Sequence, residues 1–141
     1  MGPLDLAQLP RGALVLVDSA PIIYHLEGHP KLGPRFRPLF ERHALGEISF
    51  AVTTITLAEV LTGPLRAGEE ALAKRYRAVL ESWQVVELSA EIAESAARLR
   101  AALKLRLPDA IQAASAIAVN ADALATHDRD FSKVKALRVI I

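Results

Sequence analysis

The chain has 141 residues, 52% hydrophobic and 23% charged, which suits one folded domain over 1–141 and excludes a disordered chain. It has no cysteine, which excludes disulfides, thiolate metal sites and a cysteine nucleophile. Because 17 basic residues nearly balance 16 acidic ones, net charge favours no class of partner. No apolar run approaches the roughly 18 residues of a membrane span, and the N-terminus lacks a basic secretion signal. We therefore expect a cytoplasmic protein with no membrane partner.

The first elements follow from one apolar run and one proline. Residues 13–17 read Ala-Leu-Val-Leu-Val, which is typical of a strand buried on both faces. Pro21 suits the first turn of a helix that runs from Ser19 to about Glu27. Further along the chain, periodicity and turn residues predict helix 31–46, strand 48–52, helix 54–62 ended by Gly63-Pro64, helix 68–82, strand 84–88, a helix from 89 broken at 107–108, helix 109–120, strand 123–125, a helical turn over 128–134 and strand 137–141.

Five short strands that alternate with helices predict the fold class. Strands joined by helices are typical of parallel sheets covered on both faces. We therefore expect a three-layer α/β/α sandwich with a parallel, five-stranded sheet.

Acidic residues follow the predicted strand ends. Asp18 comes directly after the first strand, Asp128 lies three residues after the fourth, and Asp109 opens a helix behind Pro108. Ligands of open parallel sheets bind at the carboxyl ends of the strands. Glu59 is the exception, since it lies inside an apolar helical segment, where a charge needs a partner or a ligand.

Each acid also has a purely structural interpretation. Asp18 (or Ser19) and Asp128 can cap helices, Asp109 can stabilise a helix dipole from the first turn, and Glu59 can lie on the exposed side of an amphipathic helix. Taken together, four carboxylates in one cleft repel one another unless protons or cations neutralise them. Oxygen ligands without cysteine suit Mg²⁺ or Mn²⁺.

Several competing sites are absent from the sequence. There is no phosphate-binding Gly-x-x-x-x-Gly-Lys loop, no dinucleotide-binding Gly-x-Gly-x-x-Gly after the first strand, and no Gly-x-Ser-x-Gly nucleophile turn. Ala20 stands where a haloacid-dehalogenase-type phosphatase carries its second Asp. The four histidines show no paired metal spacing. His127 borders Asp128, so it either lines a site or is simply exposed, and we interpret it as an exposed residue.

Four segments resemble the motifs of PIN-domain nucleases. These are Val17-Asp18-Ser19, the run 54–60 that carries Glu59, the run 105–114 around Asp109, and Ala125-Thr-His-Asp128-Arg-Asp130-Phe. Each motif is weak alone, but together they occur in order over nearly the whole chain. Length and late motifs look most like VapC-type toxins of toxin–antitoxin pairs. The lead over 1–11 is longer than is typical of them, and we expect it to be disordered.

The resemblance implies a metal-dependent endoribonuclease. Asp18, Glu59, Asp109 and Asp128 would hold one or two Mg²⁺ or Mn²⁺ ions, with Asp130 as an additional acid. The hydroxyls of Ser19 and Thr126 would support this site by orienting ligands or bound water. Two alternatives stay open, namely a PIN-fold RNA-processing nuclease without an antitoxin and a catalytically silent interaction module.

RNA and protein partners also follow from the resemblance. It implies an RNA substrate, a small antitoxin protein and a homodimer. Two basic runs flank the first and third motifs and are candidates for binding the RNA backbone: Lys31, Arg35, Arg37 and Arg42, then Arg98, Arg100, Lys104 and Arg106. An apolar stripe with Phe36 and Phe40 predicts a groove for the antitoxin, and the alternative is that both rings belong to the core.

Overall fold

The computed structural model describes residues 4–141. The predicted order of strands and helices is confirmed. The elements are β1 (Ala13–Val17), α1 (Ser19–Glu27), α2 (Leu32–Ala44), β2 (Ile48–Thr53), α3 (Thr54–Arg66), α4 (Glu70–Glu81), β3 (Gln84–Val86), α5 (Ala90–Leu103), α6 (Leu107–Ala118), β4 (Ala123–Ala125), a 3₁₀ turn (Arg129–Lys133) and β5 (Val139–Ile140).

The five strands form one parallel sheet in the order β3-β2-β1-β4-β5. At its centre, Val15 of β1 lies between Phe50 of β2 and Ala123 of β4. The chain leaves β1 toward β2 and later returns to the other side of β1 with β4. Strand order therefore reverses between β1 and β4, which is where sheets of this type open a crevice.

Alternate residues of the strands face two helical layers. Ala13, Val15 and Val17 of β1 face the core shared with helices α1 to α4, whereas Leu16 faces the core shared with α5 and α6. This alternation is the two-residue period of a strand. The predicted three-layer α/β/α sandwich is confirmed.

The lead differs from the expected disorder. Leu4, Leu6 and Leu9 are buried in the same core as α2. The Arg42 guanidinium fastens the segment, since it donates to the carbonyls of Leu6 and Leu9, both at 3.1 Å. The expectation of a disordered 1–11 is therefore wrong for residues 4–11, while residues 1–3 lie outside the described residues.

The predicted antitoxin groove on α2 is also wrong. Phe36 and Leu39 are completely buried and Phe40 is 6% exposed, so the apolar stripe belongs to the core. Leu32 is only half-buried, but it stands alone at the start of the helix. Helical spacing shows which residues share a face, and here that face packs on the sheet.

Several element boundaries differ from the sequence prediction. Helix α3 does not end at Gly63-Pro64 but continues to Arg66, because Pro64 is buried within the helix and later amides bond to the carbonyls of Gly63 and Pro64. Strand β3 is shorter than predicted because only Ala51–Thr53 of β2 pairs with it, and β5 is shorter because only Val139 and Ile140 pair with β4. Within residues 4–141, no helix is both long and apolar enough to cross a membrane.

Candidate active site

A pocket of about 380 Å³ opens at the carboxyl ends of β1 and β4, at the point where strand order reverses. The four acids predicted from the sequence all line it, and each comes from a different element of the fold: Asp18, Glu59, Asp109 and Asp128. The sheet topology therefore brings together carboxylates that lie far apart in the sequence.

Asp18 is held by neutral hydrogen-bond donors. Its Oδ1 accepts from the backbone amide of Ser19 and from Nε2 of Gln112, both at 2.9 Å. Its Oδ2 accepts from the hydroxyl of Thr126 at 2.8 Å. The same carboxylate caps α1, so the capping interpretation and the pocket interpretation are compatible.

Glu59 is an exposed residue of α3 at the wall of the pocket. Its Oε1 accepts a hydrogen bond of 2.9 Å from the buried hydroxyl of Ser19. The Ser19 oxygen also lies 3.1 Å from the Thr56 hydroxyl, which joins α1 to α3. Ser19 thus orients Glu59, while the opposite side of the glutamate carboxylate reaches solvent.

The pocket has two halves, one with Asp18 and Glu59 and the other with Asp109 and Asp128. An arginine holds the second half. Nε of Arg106 donates to Asp109 at 3.2 Å, and its Nη2 lies 3.7 Å from a carboxylate oxygen of Asp128. The Arg106 side chain is 74% exposed, whereas that of Asp109 is only 8% exposed. One exposed cation therefore bridges two acids of the pocket.

Burial raises the pKa of Asp109 above its ordinary value, and the charges of Asp128 and Asp18 raise it further. The hydrogen bond and the positive charge of Arg106 act in the opposite direction. A buried carboxyl beside other carboxylates holds its charge only if a cation compensates it. Asp109 is therefore the position in this pocket that most needs a cation.

Thr126 connects the two halves. Its hydroxyl donates to Asp18 and accepts from the backbone amide of Asp128 at 3.0 Å. Asp130 lies outside the pocket lining, exposed, with a carboxylate oxygen 3.7 Å from the Lys133 ammonium group. Its backbone amide donates to Asp128 Oδ1 at 2.9 Å, so the structure connects Asp130 to the pocket through its main chain.

The motifs and this geometry agree with a comparison against known families. The family model of the PIN domain matches residues 15–137. The chain belongs to the PIN domain family. A search among curated proteins finds no match to it.

Solved structures share the fold of this PIN domain. A toxin–antitoxin complex from Klebsiella pneumoniae is 26% identical, with a TM-score of 0.70, over 90% of this chain and 96% of that chain. VapBC2 from Rickettsia felis, bound to a DNA fragment from their promoter, is 21% identical with a TM-score of 0.71 over 89% and 96% of the two chains. Mycobacterium tuberculosis VapC20, a sarcin-ricin loop cleaving toxin, is 17% identical with a TM-score of 0.69 over 86% and 95%. The resemblance to VapC-type PIN domains is confirmed.

Sequence reasoning missed the residue at the centre of the polar network. Gln112 is 1% exposed, and its Nε2 donates to Asp18 and, at 2.8 Å, to Thr56. Its Oε1 accepts from the Thr53 hydroxyl at 2.6 Å. The signal was present, because Gln112 follows Asp109 by three positions in an otherwise apolar helix segment and so shares its face.

His127 was also interpreted wrongly. It is half-buried rather than exposed, and it lines the pocket. Its ring packs edge-on against Tyr24, with 5.7 Å between centroids, and against Phe36 at 6.1 Å. A histidine beside a charged residue gives no sequence signal for burial, since the aromatic partners come from other elements.

The donor chemistry of the pocket fits a hard divalent cation. Its acids offer only oxygen ligands, and Asp109 lies among charges that a cation would compensate. Within residues 4–141, however, no three acidic or histidine side chains are already arranged to hold a metal ion. Arg106 lies against two of the acids, so a cation that binds Asp109 and Asp128 must share them with Arg106 or displace it.

Proposed function

We propose that this PIN domain is a metal-dependent endoribonuclease that hydrolyses RNA phosphodiester bonds with Mg²⁺ or Mn²⁺. One observation carries the proposal: four carboxylates from four separate elements line a single pocket at the point where strand order reverses. Packing alone does not require this arrangement, because like charges in one cleft destabilise a fold.

Each residue of the pocket has a defined part in the proposal. Asp18, Glu59, Asp109 and Asp128 would hold the cation. When bound, a divalent cation lowers the pKa of a water molecule and stabilises charge on the phosphoryl oxygens. The protein supplies orientation, since three hydrogen bonds fix Asp18 and the Ser19 hydroxyl fixes Glu59.

Supporting roles follow from the same contacts. Thr126 joins Asp18 to the segment that carries Asp128, so that the two carboxylates keep a fixed relation. Asp130 would act from outside the pocket as an additional acid. Arg129 lines the pocket and is exposed, which places a positive charge where a substrate phosphate approaches.

Purified protein tests the proposal directly. We expect cleavage of labelled single-stranded RNA in Mn²⁺ or Mg²⁺, no cleavage in EDTA, and none by a folded Asp18→Asn variant. Sequencing RNA 5′-ends after induced expression, beside the same variant, identifies the target and the cut site. Metal-independent cleavage, or full activity of Asp18→Asn, would contradict the proposal.

We further propose that the nuclease acts in the cytoplasm as the toxin of a toxin–antitoxin pair and forms a homodimer. The 26% identical structure from Klebsiella pneumoniae, a toxin–antitoxin complex, supports this role. A small open reading frame beside the gene, whose product copurifies with the chain and inhibits cleavage, is the expected result. A nuclease without such a neighbour would instead fit RNA processing, and a protein that cleaves no RNA would fit an interaction module.

A further inference from the structure

A second cavity lies directly beside the acid pocket. Its volume is about 340 Å³, and Tyr24 lines both cavities, so that this residue joins the wall of one to the wall of the other. The other walls come from the end of α1 and the start of α2, with His25, His29 and Arg37 among the side chains that line it. A volume of this order lies within the range of small-ligand sites.

The two cavities have opposite charge. Four carboxylates line the first, whereas no acidic residue of the described chain lines the second. Burial, and then the nearby charge of Arg37, lower the pKa of His25 and so disfavour its protonated form. Arg37 brings a permanent positive charge to the second cavity.

Arg37 differs from its basic neighbours on α2. Arg42 binds the carbonyls of the lead, and Arg35 donates to the carbonyl of Ile141, so both serve the fold. Arg37 is exposed, and no ion pair within residues 4–141 uses it. The three arginines of this basic run thus divide into two that serve the fold and one that lines a cavity.

Three rings run from the acid pocket to this cavity. His127, which precedes Asp128, packs edge-on against Tyr24 at 5.7 Å, and Tyr24 packs against His29 at 5.2 Å. The His29 ring is held in place, because its Nδ1 accepts from the backbone amides of Lys31 and Leu32 at 3.2 and 3.0 Å. Aromatic rings beside a cation are the usual surface on which single-stranded nucleic acid binds.

We propose that the second cavity binds the nucleotide next to the scissile phosphodiester of a single-stranded RNA. The base packs against Tyr24 and His29, and Arg37 binds the adjoining phosphate. This inference rests on the proposed nuclease function and adds the second site that the RNA must occupy. A base in a duplex has both faces covered, so the inference restricts the substrate to unpaired RNA.

Binding measured apart from cleavage tests the subsite. The parent is the folded, inactive Asp109→Asn variant, and the probes are fluorescent oligoadenylates of two, four and eight nucleotides, followed by fluorescence anisotropy. We expect Arg37→Gln to weaken binding of the eight-nucleotide probe about tenfold, the effect of one charged hydrogen bond. The salt dependence should fall by about one unit of slope, and the dinucleotide should change much less.

Two controls separate this site from general charge and from folding. Arg75→Gln removes another exposed arginine, on α4 and outside both cavities, and should bind every probe like the parent. Tyr24→Phe should keep the affinity, whereas Tyr24→Leu should lose about 5- to 100-fold for the longer probes, the range for one stacked base.

The outcomes distinguish the subsite from the nuclease function. If Arg37→Gln binds all probes like Arg75→Gln while wild type still cleaves RNA, the subsite is wrong and the proposed function stands. The same holds if Arg37→Gln loses only the binding of a copurified protein, since the cavity then serves that partner. If wild type neither binds nor cleaves RNA, the proposed function itself is wrong.

Discussion

Asp18 and Asp109 line the same pocket but are held in opposite ways. Neutral groups hold Asp18, namely an amide, a glutamine side chain and a hydroxyl, and none of them brings an opposing charge to its carboxyl group. Asp109 is buried, and the exposed guanidinium of Arg106 partly cancels its charge. One half of the pocket is therefore fixed by the fold, and the other is held by a replaceable cation.

This difference assigns separate tasks to the two halves. Buried hydrogen bonds around Asp18 rigidify the site, because breaking any of them leaves a polar group unpaired. The Arg106 side chain is 74% exposed, so water can solvate its guanidinium when another cation takes its place beside the buried Asp109. The four predictions below test this contrast, beginning with the largest expected effect.

Asp18→Asn and Asp109→Asn should each abolish cleavage. A loss of about three decades in rate corresponds to roughly 4 kcal/mol of transition-state stabilisation. The change removes a proposed cation ligand and keeps the size of the side chain. Initial rates on labelled RNA in Mn²⁺ check it, with calorimetry to establish folding.

Asp122→Asn is the matched control for these variants. Asp122 lies before β4, at the opposite end of the strand from the pocket, where it accepts from the amide of Leu14 at 2.7 Å. An asparagine oxygen can accept the same bond, so activity should stay within a few-fold of wild type. Equal losses in Asp122→Asn and Asp18→Asn would show that cleavage does not depend on the pocket.

Gln112→Met should destabilise the fold by about 3 kcal/mol, measured by urea unfolding. The substitution keeps the volume but removes one hydrogen bond from each of Asp18, Thr53 and Thr56, and each lost bond costs about 1 kcal/mol. Ile111→Met on the same helix is the control, since volume-conserving changes in a core cost less than about 1.5 kcal/mol. Equal free energies for the two variants would contradict a structural role for the network.

The sequence could predict those parts of the pocket that short-range patterns position. Strands β1 and β4 are continuous apolar runs that end at polar residues, so local pattern placed Asp18 and Asp128 at the edge of the sheet where both are found. Asp109 followed from a proline at the start of a helix. These positions depend on short-range signals, which a single sequence contains.

Contacts between distant segments were not predictable in this way. Leu4, Leu6 and Leu9 show no helix or strand period, and their burial depends on Arg42, more than thirty positions away. Phe36 belongs to an amphipathic stripe that could equally face a partner or the sheet. Periodicity shows which residues share a face of the helix, but it does not show what packs against that face. Only the folded structure shows that this face packs on the sheet.

Divalent metal should stabilise the folded protein. With Mn²⁺ at 100 times its dissociation constant, the free energy of unfolding should rise by about 2.7 kcal/mol, since the cation binds the folded state alone. Asp109→Asn should raise the metal-free stability, because it removes a charge that burial disfavours, and should weaken the response to metal. Thermal unfolding with and without Mn²⁺ measures both, and a response no larger than that to salt of equal ionic strength would show that the acids form no cation site.

The smallest expected effect is a shift in the pH dependence of metal-free stability. Because burial raises the pKa of folded Asp109, its protonated form favours the fold, and this stabilisation is complete below the ordinary carboxyl pKa. This stabilisation is lost as the pH rises through the raised pKa of folded Asp109. Arg106 lowers that pKa, so Arg106→Gln should extend the loss to higher pH.

Arg129→Gln separates the ion pair from a general change in charge. Arg129 lines the same pocket and is exposed, but no ion pair within residues 4–141 joins it to Asp109. Stability is measured by urea unfolding in EDTA, from the acid range to neutrality. The pH at which the stabilisation by protonated Asp109 is lost should rise clearly in Arg106→Gln and less in Arg129→Gln. Asp109→Asn should abolish the shift in both backgrounds. If the two arginine variants give the same profile, Arg106 acts on Asp109 only through the overall charge of the pocket, and the contrast between its two halves fails.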